Sequence, residues 1–214
     1  MNNKNLNNFR RNYQLDSLDI EICKNNPHEQ FQDWLSDAIA ANLYEPNAMQ
    51  LATAGNNQQP CIRTVLLKEV IEDGFVFYTN YESKKGQQIA QNNKAALLFW
   101  WREHERQVRI EGIIEKYNRS ESEKYFYSRP KSSQIGAITS PQSQIIPNRA
   151  FLDERYNKLV AEYEKTKVPF PENWGGYILI PTLFEFWQGR ESRLHDRIEY
   201  IYEENSWIKR RLAP

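Results

Sequence analysis

The amino-acid sequence predicts an α+β fold in which mainly antiparallel strands form a β-barrel with helices packed at its margins. Three observations carry that prediction. Between Ala48 and Tyr117, apolar stretches of strand length recur with turn-forming residues between them, at 49–53, 61–70, 75–79, 95–101 and 107–117. Their connections are short, which pairs successive strands antiparallel, because a parallel pair needs a long crossover. Helical periodicity is confined to segments that flank or interrupt this series, and two more strands, 176–180 and 198–202, lie near the C-terminus.

Each element has a local reason. Asn26 is placed to cap a helix that begins at Pro27, and Phe31, Trp34, Leu35, Ala38 and Ile39 follow the spacing of one core-facing stripe. Gly55-Asn56-Asn57 and Glu72-Asp73-Gly74 are hairpin signals. The run 61–70 reads as one strand, so Arg63 and Lys68, an odd number of positions apart, face opposite sides. A short helix is expected over 83–91. Ser120-Glu121-Ser122-Glu123 reads as a capping box for a helix that must stop near Pro130. Lys131-Ser132-Ser133 starts another short turn, and 148–164 reads as a longer amphipathic helix. Residues 1–15 are Asn-rich and aperiodic, the character of a flexible arm. The remainder, 16–214, has no internal repeat or low-complexity linker and reads as a single domain.

Composition removes several classes of function. Lys plus Arg and Asp plus Glu each number 28, a net charge of zero. The basic excess of a nucleic-acid or membrane-surface binder is therefore missing, and cationic groups must act locally. Cys23 and Cys61 form no C-x-x-C pair, which argues against a zinc site or disulfide framework and for a reducing, cytoplasmic setting. The N-terminus is polar, without the apolar core of a signal peptide, and no apolar run approaches the length of a membrane span. The glycines build neither a dinucleotide-binding nor a P-loop motif. Neither G-x-S-x-G nor H-E-x-x-H occurs, so no metal ligand set or elbow nucleophile is expected.

What remains is cationic and aromatic. The run Trp187-Gln188-Gly189-Arg190-Glu191-Ser192-Arg193-Leu194-His195-Asp196-Arg197 sets three guanidiniums, an imidazole, two acids and an indole between two strands. Arginine offers forked donors and a stacking plane, which suits a small planar anion; a solvated hairpin loop is the alternative. Ser83-Lys84-Lys85-Gly86 opens a helix, where free N–H groups and paired cations make an anion cradle, the alternative being a solvated turn. Tyr125 and Arg129 share a helix face and Ser133 follows at the next turn, a phenol, guanidinium and hydroxyl suited to a phosphate. The alternative is an arginine that merely stabilises a helix C-terminus. Lys68, closing the apolar run Val65-Leu66-Leu67, is either a phosphate ligand or an edge-strand lysine. Gln107 on its strand and the polar turn at Gln142-Ser143 say little alone. Two phosphate-capable clusters near one apolar barrel suggest two phosphorylated ligands side by side, as a flavin mononucleotide enzyme acting on a phosphorylated substrate requires.

Ordered segments over nearly the whole chain resemble the pyridoxine (pyridoxamine) 5′-phosphate oxidase family. They are Glu45-Pro46-Asn47-Ala48-Met49, Arg63-Thr64-Val65-Leu66-Leu67-Lys68, Gly74-Phe75-Val76-Phe77-Tyr78-Thr79-Asn80, Arg106-Gln107-Val108-Arg109-Ile110-Glu111-Gly112, Ser128-Arg129-Pro130, Gln142-Ser143, the run 187–197 and Arg211-Leu212-Ala213-Pro214. The resemblance implies an FMN-binding split β-barrel and a homodimer with FMN at its interface. It implies oxidation of pyridoxamine or pyridoxine 5′-phosphate by dioxygen, giving pyridoxal 5′-phosphate and hydrogen peroxide. By the same resemblance, Arg63, Thr64, Val65, Leu66, Leu67 and Lys68 run along the flavin. Tyr78, Thr79, Lys84, Lys85, Gln107, Gln142, Ser143, Trp187 and Arg197 match its other flavin contacts. Lys68, Tyr125, Arg129 and Ser133 match the substrate-phosphate set. Arg193 and His195 match the catalytic pair covering the substrate ring, with Leu194 between them. Arg10, Arg11, Asn12 and Tyr13 match a segment that closes over the substrate.

The chain also departs from the family pattern. Lys84 stands where arginine is usual, which turns a forked phosphate contact into a point charge. Asn12 replaces the usual acid, and Gln14-Leu15-Asp16-Ser17 is less basic than usual. The competing readings are a flavin reductase of the same fold, which would lack the Tyr125, Arg129 and Ser133 cluster, and a non-catalytic carrier of flavin or pyridoxal phosphate.

Overall fold

Residues 48–54 alternate half-buried and buried, the pattern of a strand with one face on the core, and they form β1 (Ala48–Ala54). The computed structural model describes residues 8, 11–71 and 74–214. Its other strands are β2 (Pro60–Leu66), β3 (Glu69–Ile71), β4 (Gly74–Asn80), β5 (Lys94–Trp101), β6 (Arg106–Lys116), β7 (Trp174–Gln188), β8 (Asp196–Glu203) and β9 (Ser206–Leu212). The helices are α1 (Pro27–Ala40), α2 (Lys84–Gln91), α3 (Arg119–Ser128), α4 (Lys131–Thr139) and α5 (Arg149–Glu162). The strand order is β2-β1-β5-β6-β7-β4-β3, with β8 on β7 and β9 on β8. β4 pairs antiparallel with β3 and with the first part of β7, through Phe75↔Leu179 to Asn80↔Trp174. The second part of β7 pairs antiparallel with β8, from Leu183↔Ile201 to Gln188↔Asp196, and β8 with β9.

The contacts divide into two compact units. The first comprises Met1–Met49, Leu97–Glu111 and Thr182–Pro214. Its core is aromatic: Phe31 of α1 meets Phe99 edge-on at 4.9 Å, Trp34 meets Phe186 at 5.2 Å, and Phe186 meets Tyr200 at 5.5 Å. The second comprises Gln50–Ala96 and Gly112–Pro181. There Phe126, Ile135, Val168 and Trp174 form a buried cluster that joins α3, α4 and the start of β7. β4 is buried on both faces except at Tyr78, so it reads as a continuous apolar run rather than an alternation.

Several sequence expectations are borne out locally. Asn26 accepts from His28 N ahead of Pro27, Ser83 accepts from Gly86 N at the start of α2, and Asn148 caps α5. Others are corrected. The run 61–70 is two strands, broken after Leu66: Leu67 turns into the core and Lys68 is exposed, its N–H donating to Val76 O at 2.9 Å. Arg63 and Lys68 therefore do not share a strand. Ile39 is 56% exposed and lies outside the core stripe. The cap of α3 is Asn118, whose Oδ1 accepts from the N–H groups of Ser120 and Glu121 and also from the Ser120 hydroxyl, leaving no capping box at 120–123. The residues after Pro130 form a nine-residue helix rather than a short turn, and α5 buries no residue fully. The strand before the cationic run extends to Gln188, and β9 follows β8 although the sequence pattern gave no strand there. Arg10 and the hairpin positions Glu72 and Asp73 lie outside the described residues.

Candidate functional site

The sequence-selected residues gather in two clusters, one within each unit. In the second unit, α2 begins beside β4 because Gly86 leaves room: a Cβ there would come 2.0 Å from Tyr81 O. This start carries Lys85 inward, where it is only 8% exposed. Its Nζ donates to Thr79 Oγ1 at 3.3 Å and to Ser83 Oγ and Gln142 Oε1 at 3.4 Å, and Thr79 Oγ1 donates to Gln142 Oε1 at 3.1 Å. Thr79, Lys85 and Gln142 are thus brought together from a strand, a helix and a loop. Ser143 follows with a left-handed φ of 72°. Burial, and then the neighbouring Arg63 guanidinium, pull Lys85 below the usual lysine range. Arg63 donates to Leu51 O at 3.0 Å, Thr53 Oγ1 at 2.6 Å and Gln88 Oε1 at 3.2 Å, and burial lowers it too. Lys84 and Thr64 are exposed, Val65 and Leu66 half-buried.

A cavity of about 390 Å³ adjoins this cluster, lined by Tyr78, Thr79, Tyr125, Arg129, Ser133 and Gln142 among others. Tyr78 stacks on Tyr125 at 4.0 Å and on Trp174 at 5.6 Å, making an aromatic wall. Burial raises the Tyr78 phenol well above the usual tyrosine range, so it stays protonated. The Arg129 guanidinium lies 4.8 Å over the Trp174 ring and donates through Nη2 to Ser133 O at 2.9 Å, while its buried Nη1 has no partner. Neither Arg63, Lys85 nor Arg129 pairs with a carboxylate among the described residues; their contacts are neutral oxygens. A buried cation in that state costs several kcal/mol unless an anion joins it. Lys68 does not line this cavity.

In the first unit, a cavity of about 410 Å³ is lined by Arg11, Asn12, Tyr13, Arg190, Ser192, Arg193 and His195. Ser192 and Arg193 both hold left-handed backbone, at φ 56° and 62°, a strain that non-glycine residues keep only where surroundings impose it. His195 lies 4.6 Å from the Trp187 ring, and its Nδ1 accepts from Arg190 N at 3.0 Å. Burial, followed by the Arg193 charge, lowers its pKa against an opposing pull from Asp196. With Nδ1 accepting, the neutral form of the ring carries its proton on Nε2, which is left as a donor. Leu194 is 70% exposed. Arg197 is engaged inside the unit: Nε and Nη2 donate to the two Glu185 oxygens at 3.0 and 2.9 Å, and Nη1 donates to Ala213 O at 2.8 Å. Gln107 is half-buried on β6.

Sequence reasoning missed Thr53, Gln88, Trp174, Glu105 and Glu185. Gln88 had a signal, since it lies one helical turn beyond Lys84 and Lys85 on α2. The others are placed by strand pairing and packing, which no local spacing reports.

Comparison with known proteins gives the family and the fold. The family model described as pyridoxamine 5′-phosphate oxidase matches residues 35–159, and the one described as the pyridoxine 5′-phosphate oxidase C-terminal dimerisation region matches 174–214. A pyridoxine/pyridoxamine 5′-phosphate oxidase of Aliarcobacter butzleri is 52% identical, covering 98% of this chain and 99% of that one. One from Trichormus variabilis is 50% identical, covering 96% of this chain and 97% of the relative. Among solved structures, PhzG from Burkholderia lata, in complex with tetrahydrophenazine-1-carboxylic acid, superposes with a TM-score of 0.88 at 29% identity, over 94% of this chain and 99% of that one. A pyridoxamine 5′-phosphate oxidase-related, FMN-binding protein from Nostoc punctiforme gives 0.68 at 16% identity, over 86% and 97%, a likeness of fold. The α+β split-barrel fold expected from the sequence is borne out by these superpositions. With relatives half identical over nearly the full length, the chain belongs to the pyridoxine/pyridoxamine 5′-phosphate oxidase family.

Proposed function

We propose that the chain oxidises pyridoxamine or pyridoxine 5′-phosphate to pyridoxal 5′-phosphate, with FMN as cofactor, and that the two clusters carry this reaction. The observation that supports it most is the set of cations in the second unit, Lys85 buried and Arg63 and Arg129 half-buried, that meet neutral oxygens alone. The donor set fits FMN: Arg63 and Lys85, with exposed Lys84 at the start of α2, suit a phosphate monoester, and Thr79, Gln142 and Ser143 add neutral donors beside it. FMN, when bound, supplies the two-electron acceptor that dioxygen reoxidises, yielding hydrogen peroxide.

The chain's own residues bind and orient. The partnerless Arg129 Nη1, with Tyr125 and Ser133 on the same cavity wall, is available to the substrate phosphate. Lys68 belongs to the same proposed set from its exposed position after β2. A charged hydrogen bond contributes about 1.5–3 kcal/mol, so this set gives roughly micromolar anchoring, about 8 kcal/mol. Arg193 covers the pyridine ring and, with Leu194 and Tyr13, excludes water. His195 donates from Nε2 to orient the ring oxygen or the reacting group; it is not an obligatory base, because its Nδ1 is already occupied by Arg190 N. Gln107, Trp187 and Arg197 are proposed flavin contacts, as are Tyr78 and Thr64 to Leu67. We place FMN at the interface of a homodimer, which the match of 174–214 to a dimerisation region supports. The amine loses two electrons at C4′ and, with water, leaves an aldehyde and ammonia.

The test is the purified protein reconstituted with FMN. A yellow dimer whose flavin absorbance bleaches anaerobically on adding pyridoxamine 5′-phosphate, and returns with air, is expected. A flavin-loaded protein that stays yellow overturns the reaction, and a monomer overturns the shared site.

A further inference from the structure

We propose that Glu105 is a positioning residue: it latches residues 11–15 over the cavity lined by Arg193 and His195 and so sets the affinity for the phosphorylated substrate, a claim that rests on the function proposed above. Glu105 ends the short 3-10 turn Arg102–His104 between β5 and β6 with left-handed φ 53° and ψ 35°. Glycine or asparagine suits such a position, and a hairpin turn needs no carboxylate. Yet the Glu105 side chain is only 2% exposed, and its contacts leave the turn altogether. Its Oε2 accepts from the N–H of Gln14 at 2.9 Å and of Leu15 at 3.2 Å, and its Oε1 lies 3.8 Å from Arg11 Nε. Its main-chain carbonyl accepts from Gly189 N at 2.8 Å and from Gln188 Nε2 at 3.3 Å. One residue therefore holds the arm with its side chain and the loop that carries Arg190 to His195 with its backbone.

What the latch secures is Tyr13. Its ring meets Trp187 edge-on at 5.8 Å and His195 at 5.7 Å. The fit is close: a Cβ on Gly189 would come 2.8 Å from the Tyr13 Cβ and 3.1 Å from the Glu105 Cβ. Residues 11–14 have no regular secondary structure, so the N–H of Gln14 finds its partner in this carboxylate, not in a ladder. Without the carboxylate that donor is satisfied only by water, and the arm comes free.

The experiment uses the FMN-loaded enzyme and two readouts, the rate of tryptic cleavage after Arg11 and steady-state kinetics with pyridoxamine 5′-phosphate. Glu105→Gln keeps the side-chain volume and removes the charge. Cleavage about tenfold faster and a KM about tenfold higher are expected, the size of one weakened charged hydrogen bond, with kcat within about twofold of the parent. Gln14→Pro removes the N–H donor and leaves Glu105 intact, so it reproduces both changes. Gln14→Ala keeps the N–H and loses only the side-chain contact with Glu191, so it behaves as the parent. If Glu105→Gln does not fold, Gln14→Pro decides the matter. An unchanged cleavage rate in Gln14→Pro overturns the latch, and faster cleavage with unchanged KM overturns its role toward substrate. A parent enzyme inert toward pyridoxamine 5′-phosphate overturns the proposed reaction and the affinity claim together, while the proteolysis still decides the latch.

Discussion

In the first unit, Arg106 is bonded to Asp16 and Asp37 at 2.8 Å, Arg109 and Arg197 to Glu185, Arg210 to Glu199, and Arg211 to Asp196. In the second, Arg63, Lys85 and Arg129 are at least half-buried and meet only neutral oxygens. The same residue types thus do opposite work. An arginine whose charge is cancelled within the fold stabilises that fold, and Arg197, the proposed flavin contact among them, offers a ligand hydrogen bonds rather than net charge. A buried cation without a counter-charge is a standing cost, recovered when an anion arrives. The first unit has exceptions: Lys209 donates to the Ile20 and Cys23 carbonyls, and Arg193 is exposed, pairs with no carboxylate among the described residues, and lines a cavity.

This contrast can be broken at either end. The largest effect is expected at Arg129. Arg129→Ala should raise KM for pyridoxamine 5′-phosphate by roughly a hundredfold, about 3 kcal/mol, with no comparable change for unphosphorylated pyridoxamine. Equal effects on both substrates would remove Arg129 from the phosphate site. Next comes Lys85→Met, which should weaken FMN binding about thirtyfold, about 2 kcal/mol, in a flavin fluorescence titration. The same variant should melt no earlier than the parent when both are flavin-free, because it deletes a buried, unpaired charge; an earlier melt would make Lys85 architectural. Arg106→Met probes the other side. Its partners Asp16 and Asp37 are 51% and 57% exposed and return to water, while the buried Gln188 Oε1 loses its donor, so a loss of about 1–2 kcal/mol in urea unfolding is expected, with FMN affinity unchanged.

The smallest effect is a pH dependence at His195. Its folded pKa lies below the ordinary imidazole value, chiefly through burial and then Arg193, so protonation favours the unfolded chain. The His195 contribution should be fully present above the unfolded imidazole pKa, about 6.5, and lost as pH falls from there toward the lower folded value. Melting temperature should therefore decline slightly more steeply in the parent than in His195→Gln over that window. Parallel curves would show that the ring is not held neutral.

Local signals decided much of this molecule in advance. Asn26 before Pro27 and Ser83 before Lys84 act over one turn of chain, so the cap can be read without knowing the fold. By contrast, Tyr125 and Arg129 do line one cavity, but not through a shared helix face: α3 ends at Ser128 and Arg129 is its C-cap in extended backbone, so the turn into α4 brings the two together. Likewise, β9 carries Lys209, Arg210 and Arg211 in a strand that no apolar run announces. It exists because β8 offers it a ladder, from Arg197↔Leu212 to Glu203↔Ser206. The break between β2 and β3 was equally hidden, since Val65-Leu66-Leu67 is apolar throughout and only pairing to β4 shows where the strand ends.

By itself, the order of residues determined the starts of α1, α2 and α5, the positions of most strands, the cationic run 187–197 and a likeness to one family over nearly the whole chain. These rest on interactions between near neighbours or on motifs carried in one stretch. Tertiary structure alone decided which cations keep a free charge. Glu185 reaches Arg109 across 76 positions and Glu105 reaches Gln14 across 91. A carboxylate neutralises or latches whatever the folded chain brings beside it, and sequence distance carries no record of that encounter.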